Sequence, residues 1–90
     1  MRVPETPFRI DEHSLDGARI LVPQGEVDVG TAPQLAERLS ELQEAGAATL
    51  LDLSRVSFMD SSGIAVLVRA LNAARENGWD FQIDPAPSRR

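Results

Sequence analysis

Apolar and polar positions change rhythm several times along this chain. From Phe8 to Glu12 they alternate, with Phe8 and Ile10 apolar, which is the period of a half-exposed strand. Asp16-Gly17 marks a turn. Ala18 to Val22 is an apolar run broken only by Arg19, so the two segments predict a β-hairpin. Pro23 has no N–H to give to a ladder, and pairing should weaken there. Gly25 to Gly30 reads as a loop bounded by two glycines. Thr31 is placed to cap the following helix, with Pro33 tolerated in its first turn.

The rhythm then becomes helical. Ala32, Leu35, Ala36, Leu39 and Leu42 fall on one face, and Glu37, Arg38, Glu41 and Glu44 on the other, until Gly46 stops the helix. Thr49 to Leu53 is short, apolar and confined between Gly46 and Ser54, which suits a buried strand. Ser54 to Met59 reads as a connecting segment with Val56, Phe58 and Met59 as apolar anchors. Ser61 or Ser62 opens a second helix. Its expected inner stripe is Ile64, Leu67, Val68, Leu71 and Ala74, its wet face Arg69, Asn72, Arg75 and Glu76, and its end Asn77-Gly78. Asp80 to Asp84 predicts a last strand, broken by Pro85-Ala86-Pro87. The order β-β-α-β-α-β implies a single α/β domain over residues 1–90. Its sheet is small and mixed, with parallel neighbours, right-handed crossovers and packed helices.

Composition narrows the chemistry. In 90 residues there is no cysteine, which removes disulfides, thiol catalysis and thiolate metal sites. All nine basic residues are arginine, so a Walker-type phosphate lysine and a Schiff base are excluded. The net charge of -5 disfavours nucleic acid and anionic membranes as partners. No apolar run approaches the ~20 residues of a membrane span, and Met1 to Arg9 lacks the apolar stretch of a secretory signal. The cytoplasm is the expected compartment.

The densest chemistry lies in Phe58-Met59-Asp60-Ser61-Ser62-Gly63, where a strand's carboxyl end meets a helix N-terminus. Ligands collect at that edge of an α/β sheet, and the positive end of the helix dipole favours negative charge. The plain reading makes Asp60 or Ser61 an N-cap. Gly63 sits uneasily with that alone, since glycine in a first turn costs about 0.5–1 kcal/mol relative to alanine. A close approach of another chain would explain it. Asp28, Asp52 and Asp60 are expected near one another, as a solvated acidic rim or, less simply, as ligands for Mg²⁺. His13 belongs to the first hairpin, away from any Ser/His/Asp arrangement. Trp79 and Phe81 are expected in the core. Arg69 and Arg75 fit either a partner surface or ordinary solvation.

Gly25-Glu26-Val27-Asp28, Leu51-Asp52-Leu53-Ser54 and above all Phe58-Met59-Asp60-Ser61-Ser62-Gly63 together resemble the STAS domains of anti-sigma factor antagonists, from about Phe8 to about Arg90. The resemblance implies a non-enzymatic switch that needs no cofactor. Its partner would be an anti-sigma factor that is also a serine kinase, its phosphorylated residue Ser61, and its resetting enzyme a serine phosphatase. Asp28, Phe58, Met59, Asp60, Ser61, Ser62 and Gly63 would form the partner surface. A constitutive STAS scaffold or accessory subunit of a transporter or signalling complex, never phosphorylated, is the alternative. The resemblance also implies a further helix, strand and closing helix after Arg90. Without them, exposed apolar surface would invite self-association.

Overall fold

A computed structural model of the protein describes residues 7–84, so the expected break at Pro85-Ala86-Pro87 lies outside the described residues. The hairpin forms first in sequence. Strand β1 (Arg9–Leu15) pairs antiparallel with β2 (Ala18–Val27) in the register Arg9↔Gln24 to Leu15↔Ala18. Its two-residue turn has Asp16 at φ 54° and Gly17 at φ 83°. Two positive φ values make the turn match the right-handed twist of the strands, and Asp-Gly is the pair that tolerates them.

Strand β2 runs five residues past its expected end at Val22, and the reason lies in Pro23. The N–H of Arg19 donates to Ala48 O and that of Gly25 to Arg55 O, so odd-numbered N–H groups of β2 point away from β1. By that alternation the N–H that Pro23 lacks would also have pointed away from β1. On that side β2 pairs with β3 (Thr49–Asp52) through Arg19 to Leu21, and with β4 (Val56–Met59) only from Gly25 onward. Pro23 falls in the gap between the two partners. The pairing does weaken at the proline, but on one side only, and the strand passes through it. The register shifts between Gly25 and Glu26, where Gly25 has φ 105°. The expected glycine-bounded loop therefore shrinks to Asp28–Thr31.

The segment expected to be a mere connection contains β4. Two helices complete the domain, α1 (Ala32–Glu44) and α2 (Ser61–Asn77), followed by β5 (Phe81–Asp84) beside β3. The sheet order is β1-β2-β3-β5, with β4 paired to β2 beyond the end of β3. All pairings except that of the hairpin are parallel. Five strands and two helices thus confirm a small mixed α/β sheet, with one strand more than the pattern predicted.

Leu35, Leu39 and Leu42 of α1 and Val66 and Ala70 of α2 join Leu21, Leu51, Trp79 and Phe81 in one core cluster, so both helices pack on one face of the sheet. Trp79 stacks on Phe81 with ring centroids 4.6 Å apart, and its indole N–H donates to Ala47 O at 2.8 Å. That bond satisfies the only polar atom the burial of Trp79 would have orphaned. At the margin of α1, Arg38 donates from Nε and Nη2 to both Glu12 oxygens at 2.8 Å, and Arg19 Nε donates to Glu12 Oε2 at 2.9 Å. Thus the first helix is tied to the hairpin by a charged fork as well as by its leucines.

Candidate functional site

The carboxyl ends of β2 and β4 define the edge of interest. They pair at Val27↔Met59, and the next residue, Asp60, donates its N–H to Val27 O at 3.1 Å. Asp28 and Asp60 therefore follow paired positions and leave the sheet side by side. Helices α1 and α2 both begin here, so two helix N-termini share the edge.

Asp60 is the N-cap of α2. Its backbone is extended, and its Oδ1 accepts from Ser62 N at 2.8 Å and Gly63 N at 3.4 Å. The capping duty that could have fallen to Ser61 is met one residue earlier. Ser61 is consequently the first helical residue, and its side chain is exposed, whereas Ser62 is half-buried.

Gly63 is buried, and the reason for a glycine lies inside the molecule. A Cβ there would come 2.5 Å from Met59 Cγ and 2.8 Å from Val27 Cγ1. The first turn of α2 is pressed onto the ends of β2 and β4, so the close approach is intramolecular and no incoming chain is needed to explain it. Met59 is half-buried against the same core, while Phe58, pointing the other way from β4, is 52% exposed.

Asp28 folds its carboxylate back on its own loop, where it accepts from Gly30 N at 3.0 Å and Thr31 N at 3.2 Å. Thr31 holds the N-cap position of α1 but does not cap with its side chain. Its hydroxyl accepts from Asp28 N at 2.9 Å and donates to Glu26 O at 2.7 Å, which locks the loop instead. Asp52 does not join the two other aspartates. It lies at the end of β3, which leaves β2 near Leu21, about 20 Å short of Asp28 at 3.3 Å per residue. There it accepts from Ser54 N at 2.9 Å, and that bond, followed by one to the Ser54 side chain, lowers its pKa. Among the described residues no cluster of metal-ligating side chains forms, and His13 is exposed on β1, remote from Ser61 in the fold.

Helix α2 departs furthest from expectation. The buried side is Gly63, Val66 and Ala70, with Leu67, Ala73 and Ala74 half-buried. Ile64, Val68 and Leu71, expected inside, are 53%, 51% and 43% exposed. Both stripes have helical spacing, and the sheet selects the smaller side chains because Gly63 must sit against Met59 and Val27. The outward stripe begins one turn from Ser61 on the same side of the helix. Sequence reasoning placed it in the core. The signal that could have moved it outward is Gly63 itself, which marks the face of closest packing. Between α1 and α2 runs a groove of about 620 Å³, lined by Val29, Ala32, Pro33, Ser62, Ala65 and Arg69 among others.

A two-layer domain of this topology, with Asp-Ser-Ser-Gly where β4 meets α2, matches a known family. The family model for the STAS domain matches residues 9–83, and the chain belongs to that family. It is 38% identical over 60 residues to the anti-sigma-B factor antagonist of Bacillus subtilis (strain 168), a match covering 67% of this chain and 55% of that protein. The chain thus spans little more than half the length of that curated relative. The structure of the anti-sigma factor antagonist SpoIIAA in its unphosphorylated form superposes with a TM-score of 0.69 at 20% identity, covering 90% of this chain and 76% of that one. The larger chain Mglu carries the same fold, with a TM-score of 0.73 at 20% identity over 88% of this chain and 20% of that one. STAS domains that act as anti-sigma factor antagonists are binding proteins rather than enzymes.

Proposed function

We propose that this chain is an anti-sigma factor antagonist domain whose partner is an anti-sigma factor with serine kinase activity, and that phosphorylation of Ser61 turns binding off. The observation that carries the reading is the division of labour at the head of α2. Asp60 caps the helix, so the exposed Ser61 hydroxyl has no capping duty and is open to a kinase. Ile64, one turn along the same side of α2, supplies exposed apolar surface, and Phe58 adds more from the side of β4 opposite Met59. Asp28, Asp60 and Ser62 supply the polar rim, while Met59 and Gly63 hold the site from within.

A phosphate on Ser61 adds about −1.5 to −2 charges beside Asp60 and Asp28. The N-terminus of α2 tolerates that charge, so the domain keeps its fold. The partner then meets a much more negative surface, and binding fails through repulsion and desolvation. A serine phosphatase would reset the switch. Sequestering the anti-sigma factor would release a sigma factor, so the effect on transcription is indirect and the domain itself touches no nucleic acid. Such a role places it in the cytoplasm. No helix among the described residues is long and apolar enough to cross a membrane.

Incubation with candidate anti-sigma kinases and Mg-ATP, followed by intact-mass analysis, tests this. One added phosphate is expected, absent in Ser61→Ala. A second reading, a constitutive STAS scaffold, draws support from the Mglu likeness, in which this fold is one part of a larger chain. Partner capture with no phosphate on Ser61 from any kinase would favour the scaffold and sink the switch.

A further inference from the structure

At the opposite end of α2 from Ser61, a reactive sequence meets a protective geometry. The chain has two asparagines, Asn72 and Asn77, and only Asn77 is followed by glycine. A glycine carries no Cβ to hinder its own backbone nitrogen, so that nitrogen can attack the asparagine Cγ and close a cyclic imide. Asn77 is the last residue of α2, and its side chain is exposed. Gly78 is the C-cap, with φ 70°, and its N–H donates to Ala74 O at 3.0 Å. The nitrogen that would attack is thus held in a helical hydrogen bond. Imide closure also requires Asn77 to leave the helical ψ of about −42°. The intact last turn therefore blocks the reaction. Helix ends fray, and each opening of that turn frees both the nitrogen and the dihedral.

We propose that Asn77 is a site of spontaneous deamidation, gated by opening of the last turn of α2, and that its product weakens the junction between α2 and β5. The Gly78 nitrogen bonds to Asn77 Cγ and gives up its proton, the Cγ–Nδ2 bond breaks, and ammonia leaves. Water then opens the imide at either carbonyl, giving aspartate or isoaspartate. Either product puts a carboxylate at the negative end of the helix dipole, in a stretch that already carries Glu76 and Asp80. Isoaspartate also lengthens the main chain by one methylene just before the cap. The junction holds more than the helix end. Trp79, the next residue, is buried, and its indole N–H donates to Ala47 O at 2.8 Å. Asp80 O accepts from Thr49 N at 2.8 Å, at the start of β3. A displaced cap therefore pulls on the tryptophan that anchors α2 to the sheet.

Peptide mapping of the folded chain, held for several weeks at about 37 °C and about pH 8, tests the site, because each deamidation adds about 1 Da. Asn77 should convert to a mixture of aspartate and isoaspartate while Asn72 stays intact. The folded chain should convert at least ~10-fold more slowly than the same chain unfolded in guanidinium chloride. Ala74→Gly loosens the last turn without touching the Asn-Gly pair. It should speed conversion in the folded chain and leave the rate in guanidinium unchanged. Asn77→Asp should lower the thermal midpoint by about 2–5 °C. Asn77 intact in the folded chain after conversion is complete in guanidinium would overturn the site. Equal rates in the two states, or no acceleration in Ala74→Gly, would overturn the gating. An unchanged midpoint in Asn77→Asp would overturn the effect on the junction.

Discussion

At Gly63 two physical rules give opposite signs, which makes the residue informative. Helix propensity favours alanine over glycine by about 0.5–1 kcal/mol. Packing forbids it, because the added Cβ would meet Met59 and Val27 at 2.5 and 2.8 Å, and overpacking of this kind costs about 1–3 kcal/mol. Gly63→Ala should therefore destabilise the domain by about 1–2 kcal/mol in urea denaturation, and Met59→Ala in the same chain should recover part of the loss. A stabilised alanine variant would show that the first turn of α2 sits further from the sheet. The residue's importance was legible in the sequence, since a glycine in a helix start needed a reason. The reason itself was not legible, because the neighbours that enforce it come from β2 and β4, 36 and four positions earlier. Asp60 and Ser61 show the same limit: either could cap α2 on spacing alone, and only the backbone geometry assigns the cap to Asp60.

Elements with a strong local signal formed where the pattern placed them. The Asp-Gly hairpin, the leucine stripe of α1 and the short β3 needed no tertiary information. Strand β4 was missed because four residues with Val56, Phe58 and Met59 carry no clean period, and because its ladder among the described residues is with a stretch of β2 that looked like loop. The inner stripe of α2 was assigned only in part: Leu67 and Ala74 pack against the core as expected, but Ile64, Val68 and Leu71 lie outward, because the helix has two apolar faces and the larger one points out. The tie between elements was equally invisible: Glu12 and Arg38 are 26 positions apart, yet they make a two-bond fork. The hydrogen bond from Arg38, opposed by burial and reinforced by Arg19, lowers the Glu12 pKa from 4.5 to about 2. A folded-state pKa below the unfolded value means stability that is present above about pH 4.5 and lost as the pH falls toward 2. Glu12→Gln should cost about 1–2 kcal/mol at pH 7. Its difference from wild type should shrink through that window and vanish only below about pH 2, as followed by urea melts at several pH values. A difference that stays constant would mean that the fork contributes packing and not charge.

For the molecule as a whole, the edge that carries Ser61 is built so that charge can change there without the fold changing. Helix α2 is anchored by Val66 and Ala70 on one side and by Trp79 and Phe81 just beyond its end, all more than one turn from the exposed Ser61, while Gly63, two residues on, packs on the side of the helix away from it. A negative group at the first residue of a helix is favourable by about 0.3–1 kcal/mol, although Asp60 beside it offsets part of that. Ser61→Asp should thus leave the unfolding midpoint within about 2 °C of wild type, with Trp79 fluorescence and circular dichroism giving coincident transitions. On the proposed function, the same substitution should weaken binding to an anti-sigma factor at least ~10-fold, because the added charge would have to be desolvated at the proposed contact surface beside Asp28 and Asp60. Loss of binding together with a large fall in stability would point to a switch that works by unfolding the edge. Full binding with unchanged stability would show that the partner does not read charge at Ser61, and the constitutive scaffold would then be the better account of this face.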